Sequence, residues 1–274
     1  MDGIAVIVAL IAGGLFAGAY GSLIGAGGGF IMVPLLLFLF PDERPAVIAA
    51  ASLFSVLFTG ISSTTAYARL KRIDYKAGAL LAVATLPGAI LGVHLVSLVP
   101  RMSFEIAMAV LLLALAAYSF IRAQMSRGRP FLIGGAFSYR TLVDRKGTVF
   151  VYPVRAMMWS SIAGVAGFLS SMMGIGGGLL QVPILVYALS MPIQVATATS
   201  QFALTATALT GTVTHFTAGN LSLGWWNIGA LTVSVIVGAQ IGARHSTRFS
   251  DSRVTQLLSL GLTVVGVRLL MTSL

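Results

Sequence analysis

The sequence predicts an all-α, polytopic integral membrane fold built from two five-segment halves, and three observations carry that prediction. Of 274 residues, 57% are hydrophobic and 9% charged, against about 25% charged in a soluble domain. With a mean hydropathy of +0.97, the chain has too few charges to cover itself with a water-compatible surface. Apolar runs of about the roughly 20 residues needed for a transmembrane helix recur along the whole length. Finally, the pattern S-x-x-G-x-G-G-G-x-x-x-V-P occurs twice, as SLIGAGGGFIMVP at 22–34 and SMMGIGGGLLQVP at 171–183, 149 residues apart.

The first segment, Ile4–Ala19, lacks a basic flank, and no cleavage-like site precedes the next apolar run. It therefore reads as a retained span rather than a signal peptide. Phe30–Phe40, Val47–Ala68, Gly78–Val99 and Phe104–Ile121 complete the first half. The second contains Met157–Met173, Leu179–Leu189, Val195–Phe216, Trp225–Ala243 and Val254–Met271. The segments starting at Phe30 and Leu179 are about half the length of a span, and each follows a run of glycines. Half-length segments at matching positions of two halves point to broken or re-entrant helices around a site. The duplication extends further: Pro45 pairs with Pro192, Ser52 with Ser200, and Gly88/Gly92 with Gly238/Gly242. The expected organisation is a first transmembrane repeat (1–123), a basic cytoplasmic linker (124–155) and a second transmembrane repeat (156–274).

Cations orient the halves. The loop after the third segment holds Arg69, Lys71, Arg72 and Lys76, whereas its counterpart at 217–224 has no charge. The loop before the fifth holds only Arg101, whereas its counterpart holds Arg244, Arg248 and Arg253. The bias reverses between halves, as five segments per copy require, and predicts an inverted-topology repeat with both termini outside. Re-entrant hairpins and pairs of full crossings have the same parity, so both remain open. Arg122–Arg155 carries seven cations against Asp144 alone. It is expected to be a cytoplasmic linker, with a short strand possible at Thr148–Tyr152. The overall charge of +10 belongs to this positive-inside pattern, and no nucleic-acid partner is expected.

The glycine runs are the main candidates for a site. Glycine costs about 1 kcal/mol per residue in a helix interior, so three in succession should break a span. The backbone groups released inside a bilayer then need partners. A half-helix starting near Phe30 or Leu179 presents the positive end of its dipole, which suits an anion. The candidate substrate-binding residues are Ser22, Gly27, Gly28, Gly29 and Ser52 in the first half. In the second they are Ser171, Gly176, Gly177, Gly178, Ser200 and Gln201. Gln181 and Gln201 stand out among the buried polar residues because an amide is more costly to bury than a hydroxyl. The G-x-x-x-G pairs Gly14/Gly18, Gly21/Gly25, Gly88/Gly92 and Gly238/Gly242 are read instead as sites of close helix packing.

Other chemistries lack their residues. There is no cysteine, and the seven carboxylates fall in loops or at span ends, which leaves no acidic proton relay within the membrane. His215 is the candidate for proton coupling. Gly21-Ser22-Leu-Ile-Gly25 is not the G-x-S-x-G of a nucleophile elbow, and no G-K-[ST] follows the glycines. No metal-ligand cluster is present. No enzyme activity and no cofactor are expected. The expected partners are a small anion and the lipid bilayer.

At the duplicated motif the chain resembles the TauE/SafE family of sulfite and organosulfur-anion exporters. The resemblance rests on Gly25-Ala-Gly27-Gly28-Gly29 with Val33-Pro34, and on Gly174-Ile-Gly176-Gly177-Gly178 with Val182-Pro183. Ala198-Thr199-Ser200 and His215 with Gly219-Asn220 support it. It covers nearly the whole chain and implies a plasma-membrane transporter that exports sulfite, sulfoacetate or a related sulfonate. An anion channel is the alternative mechanism. The first half departs from the second at Ala50-Ala51-Ser52 and at Tyr67, which stands where His215 does, so a site formed by both halves would be asymmetric.

Overall fold

The computed structural model describes residues 3–125, 138–154, 160–188, 190–246 and 251–273. The start of the sixth expected segment at Met157, much of the basic linker and Arg248 lie outside these residues. The helices are α1 (Gly3–Ile24), α2 (Gly29–Leu39), α3 (Pro45–Arg69), α4 (Tyr75–Val96) and α5 (Arg101–Met125). After a two-stranded hairpin come α6 (Ser160–Met172), α7 (Gly178–Pro183), α8 (Ile193–Thr217), α9 (Trp225–His245) and α10 (Asp251–Ser273). Among the described residues, α1, α3, α4, α9 and the Arg101–Ile121 part of α5 are each long and apolar enough to cross a membrane. The threonine-rich α8 spans 25 residues, about 37 Å at 1.5 Å per residue.

The half-length segments are short helices. At 11 residues, α2 is about 16 Å long, roughly half the hydrocarbon thickness. It folds back along α1, with Gly28 against Ala17 and Leu35 against Gly13. The glycine loop is therefore the tip of an antiparallel helical hairpin. Arg101 ties down the far end of α2, donating to the carbonyls of Leu37 (2.8 Å), Pro41 and Glu43 (3.2 Å) while pairing with Glu105 at 2.8 Å. In the second half, α7 passes after Pro183 into a π-helical turn, Ile184–Ala188.

Most of the helix packing joins one half to the other: α1 lies on α9, α4 on α6, α5 on α10 and α3 on α8. Small residues permit this closeness. A methyl group on Gly88 or Gly92 would collide with the backbone carbonyl of Gly164 or Phe168. One on Gly238 or Gly242 would collide with that of Leu15 or Ala19. These pairs serve packing, as expected. The Gly21/Gly25 pair differs, because although Gly25 also lies against Thr197 of α8, the place of both is set by the loop. Gly21 lies against the amide of Gly28 in its own loop, and Gly25 adopts φ 83°, so both serve the turn.

The only strands among the described residues form the antiparallel hairpin β1 (Ser138–Val143) and β2 (Val149–Val154). It takes in the anticipated strand and gives this part of the linker a fixed place. Arg72 pairs with Asp144 at 2.9 Å, with both side chains buried. The Asp144 carboxylate also accepts from the amides of Lys146 and Thr148. Asp74, which caps α4 by accepting from the amides of Lys76 and Ala77, receives Arg140 at 2.6 Å and the Tyr152 hydroxyl at 2.9 Å. Leu142, Phe150 and Tyr152 pack into an apolar cluster with Leu81, Ala82 and Leu185. Burial raises the affinity of each carboxylate for a proton. At Asp74 the amide of Ala77, Arg140 and Tyr152 outweigh it, and at Asp144 Arg72 and the loop amides do. Both acids therefore ionise below the usual carboxylate range.

Gly88→Ala and Gly242→Ala should each lower stability by about 1–3 kcal/mol through overpacking, read as a drop in the melting temperature in detergent. Gly229→Ala, where an added methyl meets nothing within 4 Å, should lower it little or not at all. Breaking a buried ion pair from one side costs about 3–5 kcal/mol. Asp144→Asn should therefore speed hydrogen exchange at the amides of Lys146 and Thr148 by about 100-fold or more. Because both acids have lowered pKa values, their stabilisation is full above the unfolded value of about 3.9 and is lost as pH falls through the folded values. Hairpin protection should accordingly hold from neutral pH down to about pH 4 and collapse below it.

Candidate functional site

The two glycine loops meet inside the helical body. In each, the first three glycines of G-x-G-G-G take positive φ: 83°, 74° and 80° at Gly25, Gly27 and Gly28, and 73°, 86° and 95° at Gly174, Gly176 and Gly177. Side chains disfavour that region, which explains the spacing of the motif. A Cβ on Gly29 would stand 2.7 Å from the Cα of Ile175, and one on Gly178 would overlap the Gly25 carbonyl. The loops are thus in backbone contact across the two halves.

Each loop is held by a serine of the opposite half. Ser52 on α3 donates to the Gly174 carbonyl at 2.7 Å, and the Ser200 hydroxyl on α8 lies 2.9 Å from the Gly25 carbonyl, which shares it with the Thr197 carbonyl of α8 at the same distance. Gln201 reaches the Gly21 carbonyl at 3.1 Å through its Nε2. Gly27 and Gly176 both face Val56 and Leu204, an apolar pair that sequence reasoning missed because single aliphatic residues in a span carry no signal. Within each loop the backbone also closes on itself: Ala26 and Gly27 donate to the Gly21 carbonyl, and Ile175 and Gly176 to that of Ser170. Ile31 and Met32 donate to the Gly28 carbonyl at the start of α2, where the first amides of a helix have no carbonyl before them.

The remaining hydroxyls divide into two groups. Ser55, Thr59, Thr207, Thr210 and Thr214 bond to the carbonyl one turn back on their own helix, which is structural use. Others are buried with polar atoms that meet no protein partner: Ser170 Oγ, Ser171 Oγ, Thr212 Oγ1, both amide atoms of Gln181, Gln201 Oε1 and His215 Nε2. Among the described residues around the glycine loops, these atoms lie in the second half. Ser22, which aligns with Ser171, has the Ser63 hydroxyl at 2.8 Å and the Tyr67 hydroxyl on its carbonyl at 2.9 Å. Gly211 and His215 occupy the positions that match Ser63 and Tyr67. His215 is fully buried, and the side-chain amide of Asn220 lies 3.2 Å from its Nδ1. Each buried polar group without a partner costs about 1–3 kcal/mol, so this one-sided accumulation needs a reason.

A cavity lies at each end of the α3–α8 pair. One, of about 310 Å³, is bordered by Asp42, Arg44, Pro45, Ala46, Ser97 and Arg101. The other, of about 10 Å³, is bordered by Tyr67, Arg72, Ile193, Gln194, Thr197 and Ser246. Each cavity borders the first residues of a long helix (Pro45 and Ala46 of α3, Ile193 and Gln194 of α8) and the C-cap of the helix after it (Ser97 after α4, Ser246 after α9), so the two cavities occupy corresponding places. The small one lies against Arg72, which the hairpin residue Asp144 holds, and Asp74 is tied to α8 through its amide to Thr199 Oγ1 at 3.0 Å.

The architecture and the glycine loops have their counterpart among known proteins. The family described as "Sulfite exporter TauE/SafE" matches residues 10–269. The chain belongs to the TauE/SafE family. The "Probable membrane transporter protein YunE" of Bacillus subtilis is 33% identical over 269 residues, covering 96% of this chain and 97% of that protein. Probable membrane transporter proteins of Methanocaldococcus jannaschii (26% identical, 96% and 94% covered) and Xylella fastidiosa (28%, 95% and 92%) are also similar. No solved structure gives a significant match. This TauE/SafE member is therefore a multi-pass membrane transporter, in agreement with the five described helices long and apolar enough to cross a membrane.

Ser52→Ala and Ser200→Ala each leave a loop carbonyl buried and unpaired. Each should lower stability by about 1–3 kcal/mol, measured by thermal unfolding in detergent. Ser55→Ala, which removes only a bond within one helix, should cost much less.

Proposed function

We propose that this transporter exports small sulfur-containing anions, sulfite or an organosulfonate such as sulfoacetate, by alternating access at the glycine loops. The observation that carries the proposal is the meeting of two loops, each held by a serine from the other half, beside unpaired polar groups. Ser22, Gly27, Gly28, Gly29 and Ser52 would form one side of the substrate path, and Ser171, Gly176, Gly177, Gly178, Ser200 and Gln201 the other. Ser52 and Ser200 would act by positioning the loops, since their protons already bond to loop carbonyls. The sulfur chemistry of the substrate rests on the family.

The halves, 1–123 and 156–274, would be inverted copies related by a pseudo-two-fold axis in the membrane plane. The reversal of cation bias and the cross-half pairing of α1 with α9 and α4 with α6 support this. The termini would lie outside and the 124–155 linker in the cytoplasm of a plasma-membrane protein. The 310 Å³ cavity would then be an outer vestibule, open in this state, and its closed counterpart under Arg72 the inner one. Rocking one half against the other would exchange them. An inside-negative potential drives a monovalent anion outward by about 2.3 kcal/mol per 100 mV, so export needs no embedded carboxylate. His215 would be the residue to carry a proton if export were coupled to one.

Purified protein in liposomes should move labelled sulfite or sulfoacetate with saturating kinetics and counterflow, and net flux should reverse with the sign of an imposed potassium-diffusion potential. Flux that rises linearly with substrate and shows no counterflow would identify a channel instead. Absence of sulfur-anion flux from folded protein, under either potential and with a pH gradient, would overturn the proposal.

A further inference from the structure

Two of the unpaired side chains border one spot between α6 and α7. Gln181 is fully buried, and neither its Nε2 nor its Oε1 meets a partner. Ser170, on α6, is 1% exposed with an unpaired hydroxyl. A Cβ placed on Gly177 would stand 3.0 Å from Gln181 Nε2 and 3.6 Å from Ser170 Oγ. Both polar groups therefore face the same point beside the glycine loop.

The first half shows that the turn does not need them. Counting back 149 residues, Ser170 aligns with Gly21 and Gln181 with Met32. The first loop nevertheless adopts the same sequence of positive φ values. Its glycine at the equivalent point, Gly28, is closed against the backbone carbonyl of Ala17. In the second half, the side-chain amide and hydroxyl stand where that backbone contact would be. A Met at 181 would be cheaper to bury, so the amide is retained against the packing preference of the site.

We infer that Gln181 and Ser170 form an oxyanion subsite of the second half. Nε2 and the serine hydroxyl donate to ligand oxygens, and Oε1 accepts from a protonated oxygen of the ligand. This arrangement favours a small oxyanion that keeps one O–H, such as hydrogensulfite, over a sulfonate whose oxygens are all unprotonated. The inference rests on the anion-export reading and adds the residues that select the substrate.

The test compares wild type with Gln181→Met, which imports the aligned first-half residue, and with Ser170→Ala. The probes are sulfite and methanesulfonate, and the readouts are melting temperature without ligand, binding by calorimetry and transport KM. The expected result is a melting temperature equal to or above wild type for Gln181→Met. Its sulfite Kd and KM should rise tenfold or more while methanesulfonate changes less. Ser170→Ala should weaken both probes. A sulfite Kd within twofold of wild type in both variants, with a lowered melting temperature for Gln181→Met, would overturn the inference and make the glutamine structural, while leaving the export reading intact. If Gln181→Met does not fold, that outcome also makes the glutamine structural and overturns its part, and Ser170→Ala then decides the serine's. Wild-type protein that neither binds nor moves either probe would instead sink the export reading and, with it, this subsite.

Discussion

Stopping a helix inside a bilayer frees amides and carbonyls where no water can reach them, and the architecture of this protein is organised around meeting that demand. The Gly25 and Gly174 carbonyls are met by Ser200 and Ser52, each from the other half. The loops then lie close enough for Gly29 to touch the backbone of Ile175. A half on its own would lack the serine that satisfies its loop. The same dependence appears in the helix packing, where α1 needs α9 and α4 needs α6. Duplication here yields two copies that are complete only together.

Against that shared backbone, the two copies differ in how their polar groups are satisfied. Ser22 is engaged by Ser63 and Tyr67, whereas Ser171 faces Gly211 and the neighbourhood of His215 with its hydroxyl unpaired. Met32 and Leu53 sit in apolar clusters, and their counterparts Gln181 and Gln201 carry unpaired amide atoms. A repeat retained only for packing would lose such groups, because an apolar residue of similar size is cheaper to bury. Their concentration on one side sets the second copy apart from the first.

The β hairpin adds a third partner to the two halves. Through Asp144 it holds Arg72, and through Arg140 and Tyr152 it holds Asp74, whose own amide reaches Thr199 next to Ser200. The hairpin between the two helical halves is thus connected by ion pairs and hydrogen bonds to the helix that positions a glycine loop. Both carboxylates are held ionised by their partners, so the attachment persists at any physiological pH.

Much of the fold was legible in the sequence. Hydropathy marked most of the described helices to within a few residues, although α1 runs on past Ala19 to Ile24 and α7 gives way to a π-helical turn after Pro183; the duplicated glycine motif located both breaks, because hydrophobic length and missing side chains are local properties. Other features were decided by contacts between distant residues. Ser52 and Ser200 looked like ligands and proved to be the groups that hold the opposite loop. Gly21 looked like a packing glycine and proved to close its own turn. Val56 and Leu204 carried no signal, although both glycine loops rest on them. Arg72 and Asp144, 72 residues apart, share no pattern that a linear reading can detect. Composition and period report what a segment does with its neighbours in sequence. Which hydroxyl finds a carbonyl and which amide is left unpaired depends on how the two halves are brought together in space.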